Sequence, residues 1–466
     1  MFEAMKKIFS PCIYISLLFI LAASCKKDSF ITSPDALLQT SADTLHFDTV
    51  FTSTSSVTKS FKIFNLNNQK LRINSIMLAG GASSFFNMNV DGSPGASFSD
   101  IDIAANDSIY VFVSVNADPG TSALPFLIQD SILISYNGNS KYVQLDAYGQ
   151  DAYFLRNAEI SKDTVWSDDL PVVILGGITV KEGATLTIEK DTKIYLHADA
   201  PFNVNGSLKV NGEAAHRVLF TGDRLDDPYK YFPASWPGII FSAASTGNVL
   251  NYASLENATQ AIVINGDGTS ADQLYLNGCI INNSFKEGIL ATNASVRAIN
   301  CLISNCGENN IKLSGGAYNF IHCTVASYSN ILVSHNQPVL HVSDQDDSLH
   351  QYPLNASFTN SIFYGDSGLV TDEIEIVKTV SSSAISFTNV LYKASAVDGS
   401  FFTNSIPGTD PGFVLLDFEN TGFDFHLSES SPCINAGIDA GITSDLDGNT
   451  RDASLNNPDI GCYEKQ

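Results

Sequence analysis

Histidine and aspartate side chains are concentrated in one polar segment, HNQPVLHVSDQDDSLHQYP, residues 335–353. Imidazole and carboxylate groups together can bind a transition metal or transfer protons as acid and base. The segment therefore supplies six candidate catalytic residues: His335, His341, Asp344, Asp346, Asp347 and His350. The alternative is a solvated polar loop whose side chains contact only water.

Aromatic side chains are concentrated in a second segment, DRLDDPYKYFPASWPG, residues 223–238. An aromatic ring has a broad apolar face, and a tyrosine adds a hydroxyl at its edge; both features suit stacking on a sugar ring. On this ground four residues are candidate ligand-binding residues: Tyr229, Tyr231, Phe232 and Trp236. Packing inside the protein is the alternative for these side chains.

Three cysteines recur at a fixed interval, because Cys301 lies 22 residues after Cys279 and 22 residues before Cys323. Metal sites and redox pairs use short, uneven spacings, whereas a fixed interval of this size indicates a structural repeat. Alternate positions are apolar in NGCIINNS, NCLISNCG and HCTVASYS, which predicts strands with one buried face. We predict that the cysteines form a buried ladder and not a metal or catalytic site.

The repeats must stack on one another, because a single 22-residue unit has too few apolar residues to fold alone. A second apolar position, Ile289, Ile311 and Val333, recurs at the same interval and predicts a second strand in each unit. Cys323 and Ser361 are 38 residues apart, so we expect the histidines and aspartates to lie in a loop inserted between coils. Inserted loops form groove walls and often carry function.

The segment ITVKEGATLTIEKDTKIYLHADAPFNVNGSLKVNG, residues 178–212, is a succession of short strands separated by Gly and Asn. With VLFTG and WPGIIFS after it, this segment resembles the opening coils of right-handed parallel β-helix proteins of the pectin-lyase-like group. The resemblance implies an all-β fold with a right-handed parallel β-helix over residues 151–400, and Trp236 resembles a packing residue of that family. Such motifs specify fold well and function poorly.

Alternating segments such as KSFKIFNL, SIYVFVSV and KYVQLDAYG recur between residues 42 and 150 at the spacing of a β-sandwich. They resemble immunoglobulin-like modules related to the abnormal-spindle and hydin type, whose usual role is spacing or protein contact. Residues 25–41 are polar and predict a tether in front of this immunoglobulin-like sandwich.

The last stretch, DFHLSESSPCINAGIDAGITSDLDGNTRDASLNNPDIGCYE, resembles the ending of β-helix proteins of the choice-of-anchor Q type. We expect residues 401–466 to form a C-terminal cap over the open strand edges at the end of the helix. Asp445, Asp447 and Asn449 offer hard oxygen ligands for calcium, although the remainder of an EF-hand loop is missing. Cys433 and Cys462 would form a disulfide in an oxidising envelope compartment, with free buried thiols as the alternative.

The N-terminus, MFEAMKKIFSPCIYISLLFILAASCKKDS, has a basic start followed by an apolar stretch too short to span a membrane. Residues 1–24 resemble a bacterial lipoprotein signal peptide of the Bacteroidetes kind. The resemblance implies that Cys25 is lipidated and anchors the protein to the membrane, with the outer membrane as the expected location.

The chain carries 25 basic against 49 acidic residues, a formal net charge of −24. This balance opposes nucleic acid, anionic membrane surfaces and polyanionic glycans as partners. We therefore predict a lipid-anchored envelope protein whose β-helix presents a structural, adhesive, or glycan- or protein-binding surface. A polysaccharide lyase or glycoside hydrolase on the same fold is the alternative, although the adjacent pairs Asp168-Asp169 and Asp226-Asp227 do not match the expected catalytic context.

Overall fold

The structure is a computed structural model of the chain and describes residues 29–51, 58–115, 126–268, 273–366, 368–451 and 457–466. The predicted signal peptide and Cys25 lie outside these residues. The chain divides into two compact units, Met1–Asp151 and Ala152–Gln466. Within the described ranges, no helix has the length and apolarity that crossing a membrane would require.

The first unit is a sandwich of two β-sheets. Its strands are β1 (Phe30–Ile31), β2 (Leu38–Thr40), β3 (Thr44–Phe51), β4 (Lys59–Asn65), β5 (Lys70–Leu78), β6 (Phe86–Val90), β7 (Ser93–Pro94), β8 (Ser97–Ile103), β9 (Ser108–Val115), β10 (Phe126–Tyr136) and β11 (Asn139–Gln150), with a short 3₁₀ helix at Gly81–Ser83. One sheet has the order β1-β5-β10-β11-β3 with β8 beside β5, and the other has the order β2-β4-β9-β6-β7. In β9 the alternation is plain, because Val111 and Val113 are buried while Tyr110 and Phe112 are exposed.

The predicted tether over residues 25–41 is wrong for the described part of that range. β1 pairs in parallel with β5, and β2 pairs in antiparallel fashion with β4. Ala36 is buried in the core of the sandwich, and Ile31 and Leu38 pack against that core. A few apolar residues in a polar segment were therefore enough to add two short edge strands.

The second unit is a parallel β-helix, as the sequence predicts. Its first strands are β12 (Tyr153–Ile160), β13 (Thr164–Trp166), β14 (Val172–Val180), β15 (Thr185–Glu189), β16 (Lys193–Leu196), β17 (Phe202–Val204), β18 (Ser207–Asn211), β19 (Val218–Gly222), β20 (Ile239–Phe241), β21 (Asn248–Asn251), β22 (Ala253–Glu256), β23 (Ile262–Asn265), β24 (Leu274–Asn277) and β25 (Ile280–Asn282). A short 3₁₀ helix at Tyr229–Tyr231 lies between β19 and β20.

The helix continues to residue 407. Its later strands are β26 (Ile289–Thr292), β27 (Ser295–Ile299), β28 (Leu302–Ser304), β29 (Ile311–Ser314), β30 (Gly316–Ile321), β31 (Thr324–Tyr328), β32 (Leu340–Ser343), β33 (Leu354–Thr359), β34 (Ile362–Asp366), β35 (Ile374–Val377), β36 (Ala384–Thr388), β37 (Leu391–Tyr392), β38 (Phe402–Thr403) and β39 (Ile406–Pro407). A third 3₁₀ helix lies at Gly399–Phe401, and β40 (Phe413–Asp417) and β41 (Gly422–Leu427) form an antiparallel hairpin after the helix.

Each complete coil contributes one strand to each of three walls. The first wall has the order β13-β15-β18-β21-β24-β27-β30-β33-β36-β38. The second wall follows β16, β19, β22, β25, β28, β31, β34, β37 and β39, and the third follows β17, β20, β23, β26, β29, β32 and β35. β14 begins beside β16 and ends beside β17, so it turns the corner between the second and third walls.

The predicted cysteine ladder is confirmed. Cys279, Cys301 and Cys323 are fully buried, and each precedes an equivalent strand of the second wall, since Ile280 pairs with Leu302 and Leu302 with Thr324. Burial raises the pKa of the Cys279 and Cys301 thiols well above the ordinary value. These thiols are small apolar packing groups and are not poised as nucleophiles.

The strand pattern fails at one predicted position. Ile289 pairs with Ile311 as expected, but Ile311 pairs with Leu340 and not with Val333. Residues 329–339 form an insertion, and the third wall resumes only at β32. The segment from His335 onward is therefore not a single solvated loop, because Leu340 and Val342 are fully buried in the core.

The described C-terminal residues lie along the side of the helix and not over its end, contrary to the expected cap. β38 and β39 still extend the first and second walls, and residues 411–451 and 457–466, here called the C-terminal cover, pack on the side of the second wall. The cover contacts widely separated coils, since Asn389 Nδ2 donates to Ala436 O at 2.9 Å, Asn300 Nδ2 to Ser444 O at 2.6 Å and Arg217 Nη2 to Leu446 O at 3.1 Å.

The outward side chains of the second wall explain why the cover lies there. One outward row runs through Leu219, Ser254, Ile280, Leu302, Thr324, Ile362 and Leu391. Leu302, Ile362 and Leu391 form a separate apolar cluster with residues of the cover such as Phe425 and Ile460. Burying this apolar surface favours the lateral position by about 25 cal/mol for each Å² removed from water.

Candidate functional site

An open groove of about 780 Å³ lies against the outer side of the second wall, over β16, β19, β22 and β25. The second wall has another row of outward side chains, here called the second outward row, which begins with polar residues. These residues form the floor of the groove: Tyr195, Thr221, Glu256 and Asn282. These four side chains lie on successive coils, which are spaced about 4.8 Å apart. The floor of this lateral groove therefore presents a phenol, a hydroxyl, a carboxylate and a carboxamide in a regular line.

One side of the lateral groove is the insertion between β19 and β20, residues 223–238, here called the aromatic wall. Tyr231 and Phe232 line the groove and are 51% and 38% exposed. Two asparagines at the corner of the coils hold this wall, because Asn257 Nδ2 donates to Lys230 O at 2.9 Å and Asn283 Nδ2 donates to Tyr231 O at 2.7 Å. The aromatic wall is thus fixed to the helix before any ligand arrives.

Asn257 and Asn283 occupy these corners for a backbone reason. Their φ angles are 63° and 59°, in the left-handed region that asparagine tolerates better than most residues. Asn283 Nδ2 also donates to Asn257 Oδ1 at 2.7 Å. The same residues therefore turn the chain between walls and brace the aromatic wall.

The opposite side of the groove is formed by the β40–β41 hairpin and residues 330–332. Glu419, Asn420, Thr421 and Phe423 of the hairpin line the groove. The hairpin packs on the second wall through Tyr328, whose ring centroid is 6.3 Å from those of both Phe423 and Phe425. Asp417 orders the turn by accepting hydrogen bonds from the backbone of Glu419 and Asn420.

Both cations that line the groove are already paired with carboxylates of the aromatic wall. Arg224 makes a two-pronged contact with Asp226, at 2.8 Å from Nε and 3.0 Å from Nη2, and its guanidinium lies 4.0 Å from the centroid of Tyr229. Lys230 Nζ lies 3.0 Å from Asp227 Oδ1. Hydrogen bonding to Asp226 raises the pKa of Arg224, and hydrogen bonding to Asp227 raises that of Lys230.

The structure separates the four aromatic candidates. Tyr231 and Phe232 line the groove, whereas Tyr229 stacks under Arg224 and lies beside Phe232, with ring centroids 5.3 Å apart. The assignment of Trp236 to ligand binding is wrong, because its side chain is fully buried and stacks on Phe220. Its indole N–H donates to the carbonyl of Glu256 at 2.8 Å, so Trp236 fastens the insertion to the floor.

The histidine and aspartate candidates do not converge on one site. His335 is buried, and its Nε2 lies 2.9 Å and 3.0 Å from the two carboxylate oxygens of Glu373, which is also buried. Asp344 is buried as well and accepts hydrogen bonds from Thr379, Val380 and Ser383. Catalytic roles for His335 and Asp344 are contradicted, because neither side chain reaches solvent.

The remaining members of this set are exposed or occupied. Asp346 accepts hydrogen bonds from the backbone of Ser348 and His350, and the His350 side chain is 71% exposed. Asp347 pairs with Lys312 at 2.9 Å. Among the residues that the structure describes, no three His, Cys, Asp or Glu side chains are grouped as metal ligands.

His341, by contrast, lines a cleft. A second cleft of about 750 Å³ contains Glu308, Lys312, His341 and Glu375. Lys312, His341 and Glu375 are paired in register on β29, β32 and β35, and His341 Nδ1 lies 2.8 Å from Glu375 Oε2. Burial and then the adjacent charge of Glu287 raise the pKa of Glu308.

The aspartates of the proposed calcium motif have other partners in the structure. Asp445 is buried and accepts hydrogen bonds from the backbone of Asp447, Asn449 and Glu464. Asp447 Oδ2 instead lies 2.8 Å from His426 Nε2. Asp445 therefore orders a turn of the cover, and calcium binding stays a prediction.

The predicted disulfide between Cys433 and Cys462 is not formed in the structure, where both are free thiols. Both lie in the apolar cluster under the cover, and burial raises the pKa of each to about 12. The local contacts differ, because Cys433 N bonds to Ser431 Oγ while Cys462 N bonds to Thr324 Oγ1. The two residues nevertheless lie on neighbouring segments of the cover, because Ile460 N donates a hydrogen bond to Cys433 O at 3.0 Å.

Sequence reasoning missed the floor of the lateral groove and the hairpin opposite. The available signal was the second outward row, which is polar at Thr221, Glu256 and Asn282 and apolar at Ala326. Where the side chains of one row change from polar to apolar, the wall changes from exposed in the groove to buried under the cover. Finding this change in the sequence requires the strand register of six coils, including the insertions between them.

No family model and no curated protein matches this sequence. Among solved structures, a family 123 glycoside hydrolase from Clostridium perfringens is similar over 24% of this chain and 25% of its own, with 10% identity and a TM-score of 0.18. XylC in complex with xylose is similar over 90% of this chain and 89% of its own, with 9% identity and a TM-score of 0.33.

Proposed function

We propose that this protein is a cell-envelope lipoprotein that binds a glycan in the lateral groove. The observation that carries the proposal is the combination of an aromatic wall braced by Asn257 and Asn283 with a polar floor that repeats at the coil spacing. A sugar chain has apolar ring faces and hydroxyl rims, and it repeats along its length. The aromatic wall suits the ring faces, and the floor offers hydrogen-bonding groups to the rims.

The structure of the groove supports a role for its aromatic side chains in ligand binding and not only in packing. Tyr231 and Phe232 stay partly exposed to the groove, whereas the apolar side chains of the neighbouring coils are buried under the cover. Their wall is fixed by hydrogen bonds from the buried residues Asn257 and Asn283, so a ligand would not have to order it, and preorganisation of this kind lowers the cost of association. The groove is also open along one side of the helix and suits a chain better than a compact small molecule.

The anchoring part of the proposal concerns residues outside the described ranges. Lipidation at Cys25 would hold the two units at a membrane surface, with the outer membrane as the proposed location. A Cys25→Ala variant should then leave the membrane fraction or accumulate unprocessed. Unchanged partitioning into a detergent phase would contradict the anchor and would leave the groove proposal standing.

The groove itself is tested with a chain that begins at Lys26. Binding to a panel of polysaccharides is measured by calorimetry for the parent and for Tyr231→Ala and Phe232→Ala. We expect each substitution to weaken binding at least tenfold with little change in melting temperature, because both side chains are exposed. Tyr148→Ala is the matched control, since Tyr148 is a 54% exposed tyrosine of the sandwich. Equal binding by all four proteins would overturn the proposal.

A glycan-cleaving enzyme is the second candidate, and the second cleft is the observation in its favour. A raised pKa favours the protonated form that a general acid needs, and burial raises the pKa of Glu308, which lines the second cleft together with His341. Release of new reducing ends by the parent, and its loss in Glu308→Gln, would support this candidate. Glu182→Gln, an exposed change outside the cleft, is the control.

A further inference from the structure

We propose that the lateral groove selects uncharged glycans and discriminates against uronic or sulfated ones. This inference rests on the proposed glycan-binding function and adds the chemical class of the ligand. It is argued from the charged residues that line the groove, Arg224, Lys230, Glu256 and Glu419, and from the partners of the two cations.

Arg224 is already engaged with a carboxylate of the protein. Its Nε and Nη2 meet both carboxylate oxygens of Asp226, and the Arg224 and Asp226 side chains are 41% and 11% exposed. A ligand carboxylate that took over these donors would leave Asp226 largely buried and without its counter-ion. Breaking this ion pair costs more free energy than a new contact between Arg224 and the ligand carboxylate would gain.

Lys230 is engaged in the same way, though in a more exposed position. Its ammonium lies 3.0 Å from Asp227 and 4.9 Å from the centroid of the Tyr231 ring. The lysine therefore helps to hold the face of the aromatic wall while its charge is balanced locally. An incoming anion would compete with both contacts.

The other two charged residues among those described that line the groove are carboxylates, one on the floor and one on the hairpin. Glu256 belongs to the floor and accepts a hydrogen bond from Ser254 Oγ at 2.8 Å, and Glu419 belongs to the hairpin. With both cations neutralised inside the aromatic wall, the field in the groove is set by these two carboxylates. Like-charge repulsion then acts against a uronate or sulfate, whereas sugar hydroxyls can donate to both carboxylates.

The test compares matched pairs of oligosaccharides that differ only in oxidation at C6: glucan with glucuronan, galactan with galacturonan, and mannan with mannuronan. Affinities are measured at low ionic strength for the chain that begins at Lys26. We expect at least one neutral member to bind, with an affinity at least tenfold above that of its uronic partner. A double variant, Glu256→Gln with Glu419→Gln, should narrow that ratio several-fold, and so should Asp227→Asn, which frees Lys230.

The outcomes separate this inference from the proposed function. Asp168→Asn removes one negative charge, as Asp227→Asn does, at a residue that does not line the groove, and it should leave the ratio as in the parent. Equal or tighter binding of uronic members, lost in Tyr231→Ala, would overturn the selectivity and keep the groove as a glycan site. Binding of no member of any pair would overturn the proposed function and the selectivity together.

Discussion

The side-chain amide of Asn283 donates a hydrogen bond to the carbonyl oxygen of Tyr231 over 2.7 Å, between residues 52 positions apart in the chain. Asn283 turns one coil of the helix, and Tyr231 lies in an insertion that leaves the helix two coils earlier. This bond therefore fixes the position of the aromatic wall relative to that coil.

Replacing Asn283 should loosen that wall and leave the coil intact. Asn283→Gly removes the amide and keeps a residue that accepts the observed φ of 59°. A hydrogen bond of this kind contributes about 0.5–1.5 kcal/mol, so we expect glycan affinity to fall several-fold with only a small loss of melting temperature. Asn293→Gly, at another left-handed corner with φ of 50°, should bind like the parent. A similar loss in both variants would argue against a specific brace.

The buried pair of His335 and Glu373 should matter for stability. Both side chains are inaccessible to solvent, and Glu373 Oε2 also accepts a hydrogen bond from Val339 N. His335→Ala would leave the carboxylate buried without its partner, which costs about 3–5 kcal/mol. Urea denaturation should show this loss, and a His335→Leu, Glu373→Met double variant should recover part of it because the two effects are coupled. A single-variant loss below about 1 kcal/mol would contradict the pairing.

The contacts of His426 with Asp424 and Asp447 inside the cover should make stability fall as pH rises above 6.5. Burial opposes the charged form of His426, but hydrogen bonds to Asp447 and Asp424 outweigh it and raise the pKa. The stabilising contribution is therefore fully present below the unfolded pKa of about 6.5 and is lost as pH rises through the raised value.

This dependence is measured as melting temperature from pH 6 upward for the parent and for His426→Gln. Because His426 is partly exposed, the effect should stay below about 1 kcal/mol. The parent should lose melting temperature with rising pH more steeply than the variant. Parallel curves would show that His426 carries no titrating contribution. Ser428→Ala, a neutral change on the same segment, controls for local disturbance.

The buried thiols should not react with a thiol reagent in the native protein. A chain beginning at Lys26 contains six cysteines, and all six are buried and free in the structure: Cys279, Cys301, Cys306, Cys323, Cys433 and Cys462. We expect no reaction with a thiol reagent under native conditions and reaction of all six after denaturation without reductant. Reaction of only four thiols after denaturation would show that Cys433 and Cys462 form a disulfide. Rapid native labelling would mean that the coil register is wrong.

The amino-acid sequence by itself determined the repeating architecture. The equal spacing of Cys279, Cys301 and Cys323 and the apolar alternation around them define coil length and wall register, because stacked parallel strands bring equivalent residues together. The same local pattern could not place Val333, because an insertion adds residues without changing the appearance of the strands around it. Pairing of Ile311 with Leu340 resolves that ambiguity only in three dimensions.

Only the tertiary structure decided where the groove lies. Tyr231 and Phe232 carried a signal in the sequence, but their opposite side, Glu419 to Phe423, comes from a hairpin almost two hundred residues later. The position of that hairpin depends on which outward side chains of the second wall need cover, and those side chains are identified only after every coil is in register. Local propensity determines where the strands form. The position of the cover is determined by burial of an apolar surface assembled from many coils, and the groove is the part of the wall that the cover leaves exposed.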